Sequence, residues 1–270
     1  MEQQDHGAQV PGGIPAAIAS VIGDAAASVD STGKSSAQVL LFPEHVLKIR
    51  PADSRDTEDV AVLRWLSGRL PVPQVAAHAV QDGRDWLLMT RVGGRMLCDP
   101  SVMRQPTLLL DCLAEGLHLL WDTDISGCPF RRSLADELDA AERNLRSGRF
   151  DPANCEAETF GPGGFRDADA LLDWLRKNPP PAERVLSHGD YCLPNIFERG
   201  GHVSGFIDLG DCGVADPWRD LSLGWRSLKH NSDGHFAFYP GIDPDDLFRA
   251  VGVPKDEERL RYYLLLDELF

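Results

Sequence analysis

The sequence predicts an α+β chain in two parts, a small β-rich lobe over residues 1–92 and a larger, mostly helical lobe over residues 93–270. Three observations carry this expectation. Apolar runs of strand length mark the first ninety residues, apolar positions recur at helical spacing over most of the remainder, and the pair Gly93-Gly94, a candidate hinge, falls where the pattern changes. With 270 residues and 43% hydrophobic side chains, the chain can bury a sizeable core without covalent staples.

The opening thirty residues are rich in Ala, Gly and Ser and support one short helix, Ile14 to Ala27, behind a mobile extreme N-terminus. Val39 to Phe42 and His45 to Ile49 read as strands separated by Pro43-Glu44, and Asp85 to Thr90 reads as another behind the turn signal Asp82-Gly83. Between them Val60, Leu63 and Trp65 or Leu66 follow a helical period that Leu70-Pro71-Val72-Pro73 stops. Further on, Thr107 to Trp121 fits a buried helix. Ser133-Leu134-Ala135-Asp136 opens a second, running to about Leu145, and Asp167 to Lys177 is a third, stopped by Pro179-Pro180-Pro181. A hairpin follows: Asn195-Ile196-Phe197, a turn at Arg199-Gly200-Gly201, and Val203 to Ile207. The rest reads as helical and ends in Glu258 to Phe270, and no internal repeat is present.

Forty-two acidic against 27 basic side chains give a formal charge of −15. That balance argues against nucleic acid, whose phosphates demand a basic face, and is compatible with steering a cationic ligand or simply with solubility. Six widely spaced cysteines (Cys98, Cys112, Cys128, Cys155, Cys192, Cys212) show neither C-x-x-C pairs nor zinc-ligand spacing and fit a reducing cytoplasm. The first ten residues carry Glu2 and Asp5 but no Lys or Arg, unlike a secretory leader, and no apolar run approaches a membrane span.

The strongest chemical signal is His188-Gly189-Asp190-Tyr191-Cys192-Leu193-Pro194-Asn195, with the spacing H-x-D-x-x-x-x-N of a kinase catalytic loop. Phosphoryl transfer needs a carboxylate that orients the acceptor hydroxyl, here Asp190, and an oxygen ligand for magnesium nearby, here Asn195. Eighteen residues after Asp190, behind the strand ending in Phe206-Ile207, stands Asp208-Leu209-Gly210 in the place of a metal-binding Asp-Phe-Gly. Either motif alone reads as a turn containing an aspartate. Together, in order and joined by a hairpin, they point to a kinase.

Lys48 supports that reading. Only five of the 27 basic residues are lysines, yet one sits inside the apolar run Val46-Leu47-Lys48-Ile49. An ammonium placed there needs anionic partners, and nucleotide phosphates together with an acid on the following helix, Glu58 or Asp59, would supply them. A lysine snorkelling from an edge strand is the plainer alternative. Upstream, Gly33-Lys34-Ser35 suggests a Walker A loop but fails its spacing, because Ser28 stands where glycine is required. The segment reads either as a turn whose N–H groups meet phosphates or as a plain hairpin turn.

The run from Leu186 to Leu221, including Gly205-Phe206-Ile207-Asp208-Leu209-Gly210 and Ala215-Asp216-Pro217-Trp218-Arg219-Asp220-Leu221, resembles the aminoglycoside phosphotransferases, specifically the 3'-phosphotransferase branch. Asp124-Ile125-Ser126-Gly127-Cys128-Pro129-Phe130 and the ending Tyr262-Tyr263-Leu264-Leu265-Leu266-Asp267-Glu268-Leu269-Phe270 are similar to that branch as well, so the likeness runs from about Asp30 to the end. It implies a protein-kinase-like two-lobed fold and transfer of the γ-phosphoryl of ATP or GTP, with Mg²⁺, to a hydroxyl of an antibiotic. By position, it makes Asp190 the catalytic aspartate, Asn195 and Asp208 the metal ligands and Lys48 the contact to the α and β phosphates. Thr90 and Val92 would supply the backbone that meets the base. Acceptor amines would meet Asp190, Glu156, Glu158, the neighbourhood of Arg226, Asp267, Glu268 and the terminal carboxylate of Phe270.

The chain departs from that pattern in four places. Asp59 stands where the family has Glu, Val46 where several relatives place an aromatic over the base, and Asp211 where relatives carry Arg. Residues from His230 to Asp246 form a longer segment containing His235, Phe236, Phe238, Tyr239 and Pro240. These changes touch acceptor choice more than chemistry. A kinase of a non-aminoglycoside antibiotic or metabolite is the same-class alternative, and a nucleotide-binding pseudokinase the alternative from another class.

Overall fold

A computed structural model describes residues 13–29, 37–52, 56–148 and 150–270. The expected mobile N-terminus and the Gly33-Lys34-Ser35 turn lie outside the described residues. The chain divides into two compact units, one of residues 1–93 with 205–210 and the other of residues 94–204 with 211–270.

The first unit contains α1 (Ala16–Ile22), β1 (Ser28–Val29), β2 (Gln38–Leu41), β3 (His45–Pro51), α2 (Asp56–Leu66), β4 (Val75–Gln81) and β5 (Arg84–Thr90). Its strands form one antiparallel sheet in the order β1-β2-β3-β5-β4. Strand alternation sends Leu47 and Ile49 of β3 into a core with Leu40, Phe42, Trp86 and Leu88, capped by Ile18 and Ile22 one helical turn apart on α1. Lys48 and Arg50 consequently share the opposite face of β3.

Two expectations change here. The first helix stops at Ile22, five residues short, because Gly23 takes a φ of 52° that no continuing helix residue adopts. Strand β4 was not foreseen, since its three alanines carry little β signal beside Pro71 and Pro73. The Asp82-Gly83 turn does pair it with β5. Both residues have positive φ, 52° and 70°, as a two-residue hairpin requires.

The second unit comprises β6 (Arg95–Met96), α3 (Pro100–Met103), α4 (Pro106–Trp121), α5 (Leu134–Arg146), α6 (Ala168–Lys177) and β7 (Val185–Ser187), then β8 (Ile196–Arg199), β9 (His202–Phe206, whose last two residues count with the first unit), β10 (Gly213–Ala215), α7 (Pro217–His230), α8 (Asp246–Val251) and α9 (Glu257–Asp267). Its short strands pair as β10-β7 and β6-β8-β9. The helix starts follow the sequence closely. Ser133 and Asp136 make a reciprocal capping box on α5, and the Asp167 side chain accepts from Ala170 N to start α6. The stretch after α7 corrects the expectation of continuous helix: residues 231–245 form turns and bends, tied by backbone bonds such as Tyr239 N to Ser232 O at 2.9 Å. The last helix ends at Asp267, leaving Leu269 and Phe270 beyond it. Among the described residues, no helix is long and apolar enough to cross a membrane.

Candidate active site

The catalytic-loop motif sits between β7 and β8. Strand β7 delivers Ser187, and a single 3-10 turn, Leu193–Asn195, with Pro194 inside it, leads into β8. The loop hangs from Asp220 on α7, a fully buried carboxylate that accepts from Ser187 Oγ (2.9 Å), His188 N (2.7 Å) and Gly189 N (3.0 Å). Tyr191, also fully buried, donates its hydroxyl to Leu113 O at 2.7 Å. Between these anchors Gly189 adopts φ 92°, and a Cβ there would lie 2.4 Å from Asp211 O, so only glycine fits. Asp190 is thereby presented on the exposed side of an immobilised turn.

Both oxygens of Asp190 are held. Asn195 Nδ2 donates to Oδ2 at 2.9 Å and to the Asp190 carbonyl at 3.0 Å, while Cys192 Sγ donates to Oδ1 at 2.9 Å. Burial, then the charge of Asp190, pushes the Cys192 thiol well above its ordinary range and keeps it a donor. Asn195 spends its amide nitrogen on Asp190, and among the described residues no hydrogen bond is made to its carbonyl oxygen. That oxygen is a hard donor of the kind Mg²⁺ takes.

In the first unit, Lys48 Nζ lies 2.7 Å from Asp208 Oδ1. Asp208 follows β9 with a φ of 56°, a left-handed conformation uncommon outside glycine, and its side chain is about half exposed (52%). The expected partner of Lys48, Glu58 or Asp59, is corrected. Asp59 Oδ2 is taken by Arg50 Nη1 at 2.7 Å, because Arg50, two residues along the same face of β3, carries the longer side chain and reaches the short aspartate. Thr90 bonds Gln74 in both directions, N to Gln74 O and Oγ1 from Gln74 N, each at 2.9 Å. The backbone of Val92 makes no hydrogen bond among the described residues.

The residues expected at the acceptor separate into a joined group and an outlier. Arg226 on α7 pairs with Asp267 and lies 3.7 Å from Glu268; Glu268 Oε2 accepts from Glu156 N at 2.9 Å; Glu156 Oε1 meets His230 Nε2 at 2.9 Å. Burial raises the Glu268 carboxyl pKa and lowers that of His230. Glu158 is exposed and joins none of these pairs. Phe270 is 58% exposed beyond a turn pinned by Asn144 Nδ2 to Leu269 O at 2.7 Å. The acids at the end of α9, expected to meet acceptor amines, already have a resident counter-charge in Arg226.

Sequence reasoning missed Asp220, Arg50, Cys192 and His230. Asp220 lay in plain view in Asp216-Pro217-Trp218-Arg219-Asp220, but nothing local marks an aspartate as the anchor of a loop more than thirty residues away.

An antiparallel sheet with two helices, followed in the chain by a helical unit with this loop, defines a phosphotransferase of the protein-kinase-like class. Residues 32–241 match the model of the phosphotransferase enzyme family, APH. The aminoglycoside 3'-phosphotransferase of Niallia circulans is 34% identical over 95% of this chain and 97% of its own. Among solved structures, the aminoglycoside phosphotransferase APH(3'')-Id from Streptomyces rimosus superposes with a TM-score of 0.78 at 25% identity, covering 93% of this chain and 95% of its own. That enzyme has also been solved with ADP and streptomycin. An aminoglycoside 3'-phosphotransferase of type VIII follows with a TM-score of 0.74 at 28% identity, over 90% of this chain and 94% of its own. The chain belongs to the aminoglycoside phosphotransferase family.

Proposed function

We propose that this chain transfers the γ-phosphoryl of ATP to a hydroxyl of an aminoglycoside and so confers resistance. The observation that carries the reading is the Asp190 carboxylate, fixed at both oxygens on a loop anchored by Asp220, in a chain of this family. Asp190 would align the acceptor hydroxyl and take its proton as the oxygen attacks the γ-phosphorus and the bond to the leaving ADP oxygen breaks. Lys48 would hold the α and β phosphates, and Gly33, Lys34 and Ser35 would offer N–H groups to them. Thr90 and Val92 would meet the base through the backbone. Mg²⁺, held by Asn195 and Asp208, would neutralise charge on the phosphates; an amide oxygen and a carboxylate are the donors it prefers. In this reading residues 1–92 serve the nucleotide, and 93–270 carry the catalytic loop, the metal ligands and the acceptor site.

The acceptor would be drawn by Glu156, Glu158, Asp267, Glu268 and the Phe270 carboxylate, backed by the charge of −15. Six free thiols support a cytoplasmic location. The donor would be ATP, in keeping with the ADP bound by the Streptomyces enzyme. The test is incubation of the purified chain with ATP or GTP, Mg²⁺ and a panel of aminoglycosides, reading product mass for the gain of one phosphoryl group. No gain on any aminoglycoside would overturn the assignment. One observation favours a second reading, an acceptor with fewer amines: Arg226 and His230 already occupy Asp267 and Glu156. Nucleosides and peptide antibiotics therefore belong in the panel.

A further inference from the structure

The tie between the sheet and its helix is made two residues away from the lysine. We infer that Arg50 is the positioning residue that fastens α2 to the sheet and braces the Asp208-Leu209-Gly210 turn, leaving Lys48 free of that duty. The structural half of this inference stands alone; its consequence for nucleotide rests on the function proposed above.

Arg50 is bracketed by two acids on two elements. Its Nη1 is 2.7 Å from Asp59 Oδ2 on α2, and its Nε is 3.3 Å from Asp85 Oδ2 on β5, the residue directly opposite it in the β3–β5 register. Asp85 is 1% exposed and is met on its other oxygen by His78 Nε2 of β4 at 2.5 Å. The chain of polar contacts thus runs Asp59, Arg50, Asp85, His78, and links α2 to three strands of the sheet. Because Asp85 is buried, loss of Arg50 would remove its guanidinium neighbour where water cannot replace it, which makes the arrangement hard to exchange.

Asp59 also touches the turn after β9. A Cβ built on Gly210 would fall 2.7 Å from Asp59 Oδ1, so the carboxylate that Arg50 orients forms the wall against which this glycine lies. Leu209 beside it is buried (4% exposed), and Asp208 is held at φ 56°, a conformation that survives only where its surroundings enforce it. Lys48 contrasts on every point. Its partner among the described residues is Asp208, whose side chain is half solvated, so the pair is of the weak, exchangeable kind. The Asp at position 59, where the family has Glu, is compensated by the longer reach of Arg50. Lys48 can then change partners from Asp208 to phosphate without loosening α2.

The test compares Arg50→Met, Asp59→Asn, Arg50→Lys and Lys48→Met in the full chain, by amide hydrogen exchange over residues 58–66 and 206–210 and by titration with a fluorescent ADP analogue. Arg50→Met and Asp59→Asn should each speed exchange in both segments by roughly tenfold or more, since each breaks a largely buried pair. Arg50→Lys should restore protection only partly, because it lacks the fork. Lys48→Met should leave exchange at 58–66 unchanged while weakening the analogue. Faster exchange at 58–66 in Lys48→Met would overturn the inference, as would wild-type exchange in both Arg50→Met and Asp59→Asn. Should Arg50→Met not fold, Asp59→Asn and Arg50→Lys test the same tie from its other side and with its charge kept. If the wild-type chain binds no nucleotide, the function proposed above fails while the exchange data still decide the role of Arg50.

Discussion

Asn195 Nδ2 stands 2.9 Å from Asp190 Oδ2, so the side chain expected to bind metal also sets the plane of the carboxylate expected to act on the acceptor. The two roles remain separable because the amide has a nitrogen for one and an oxygen for the other. Asp190→Asn should lower kcat by about 10²- to 10⁴-fold, the range for loss of a positioned base, with nucleotide affinity largely intact. Steady-state kinetics and a nucleotide titration check this; near wild-type turnover would remove Asp190 from the catalytic role.

Cys192 donates to the other oxygen of Asp190, and burial plus that charge hold its thiol pKa well up. Alkylation by iodoacetamide at pH 8 should therefore be much slower at Cys192 than in the unfolded chain, because the thiolate is the nucleophile. Asp190→Asn should speed the reaction, having removed the Asp190 charge that adds to the effect of burial. Peptide mapping reads it out, and labelling as fast as in denaturant would contradict the geometry.

Asp208→Asn should abolish the dependence of nucleotide binding on Mg²⁺, since the carboxylate is the metal's strongest candidate ligand. The melting temperature without metal should move little: an ion pair this exposed contributes about 0–1 kcal/mol. Paired titrations with and without Mg²⁺ decide it, and an unchanged metal dependence would place the ion elsewhere.

Deleting Phe270, or adding a C-terminal tag that moves the carboxylate, should raise acceptor KM with nucleotide affinity and melting temperature unchanged. Glu268 and Leu269 keep their own contacts to Glu156 and Asn144 without it. For a polycationic acceptor, KM should also rise with ionic strength as screening weakens attraction to the acids. Acceptor kinetics indifferent to both changes would reduce the terminus to a helix end.

Local rules in the sequence determined the helices with clear caps, the Gly200-Gly201 hairpin, the alternation that puts Lys48 inside a strand, and the spacing that singles out Asp190, Asn195 and Asp208, because these depend on neighbours within a few residues. Three-dimensional pairing decided the rest. Strand β4 acquires its place from β5, since alanines signal little alone; Arg50 takes Asp59 because side-chain length and a shared strand face favour it over Lys48; and Arg226 occupies Asp267 from a different helix. Asp220 is the clearest case. Its chemistry is legible as an aspartate before a helical apolar run, but only burial beneath the loop of residues 187–189 turns it into the anchor that presents Asp190, because an enclosed carboxylate must find its donors wherever the fold brings them.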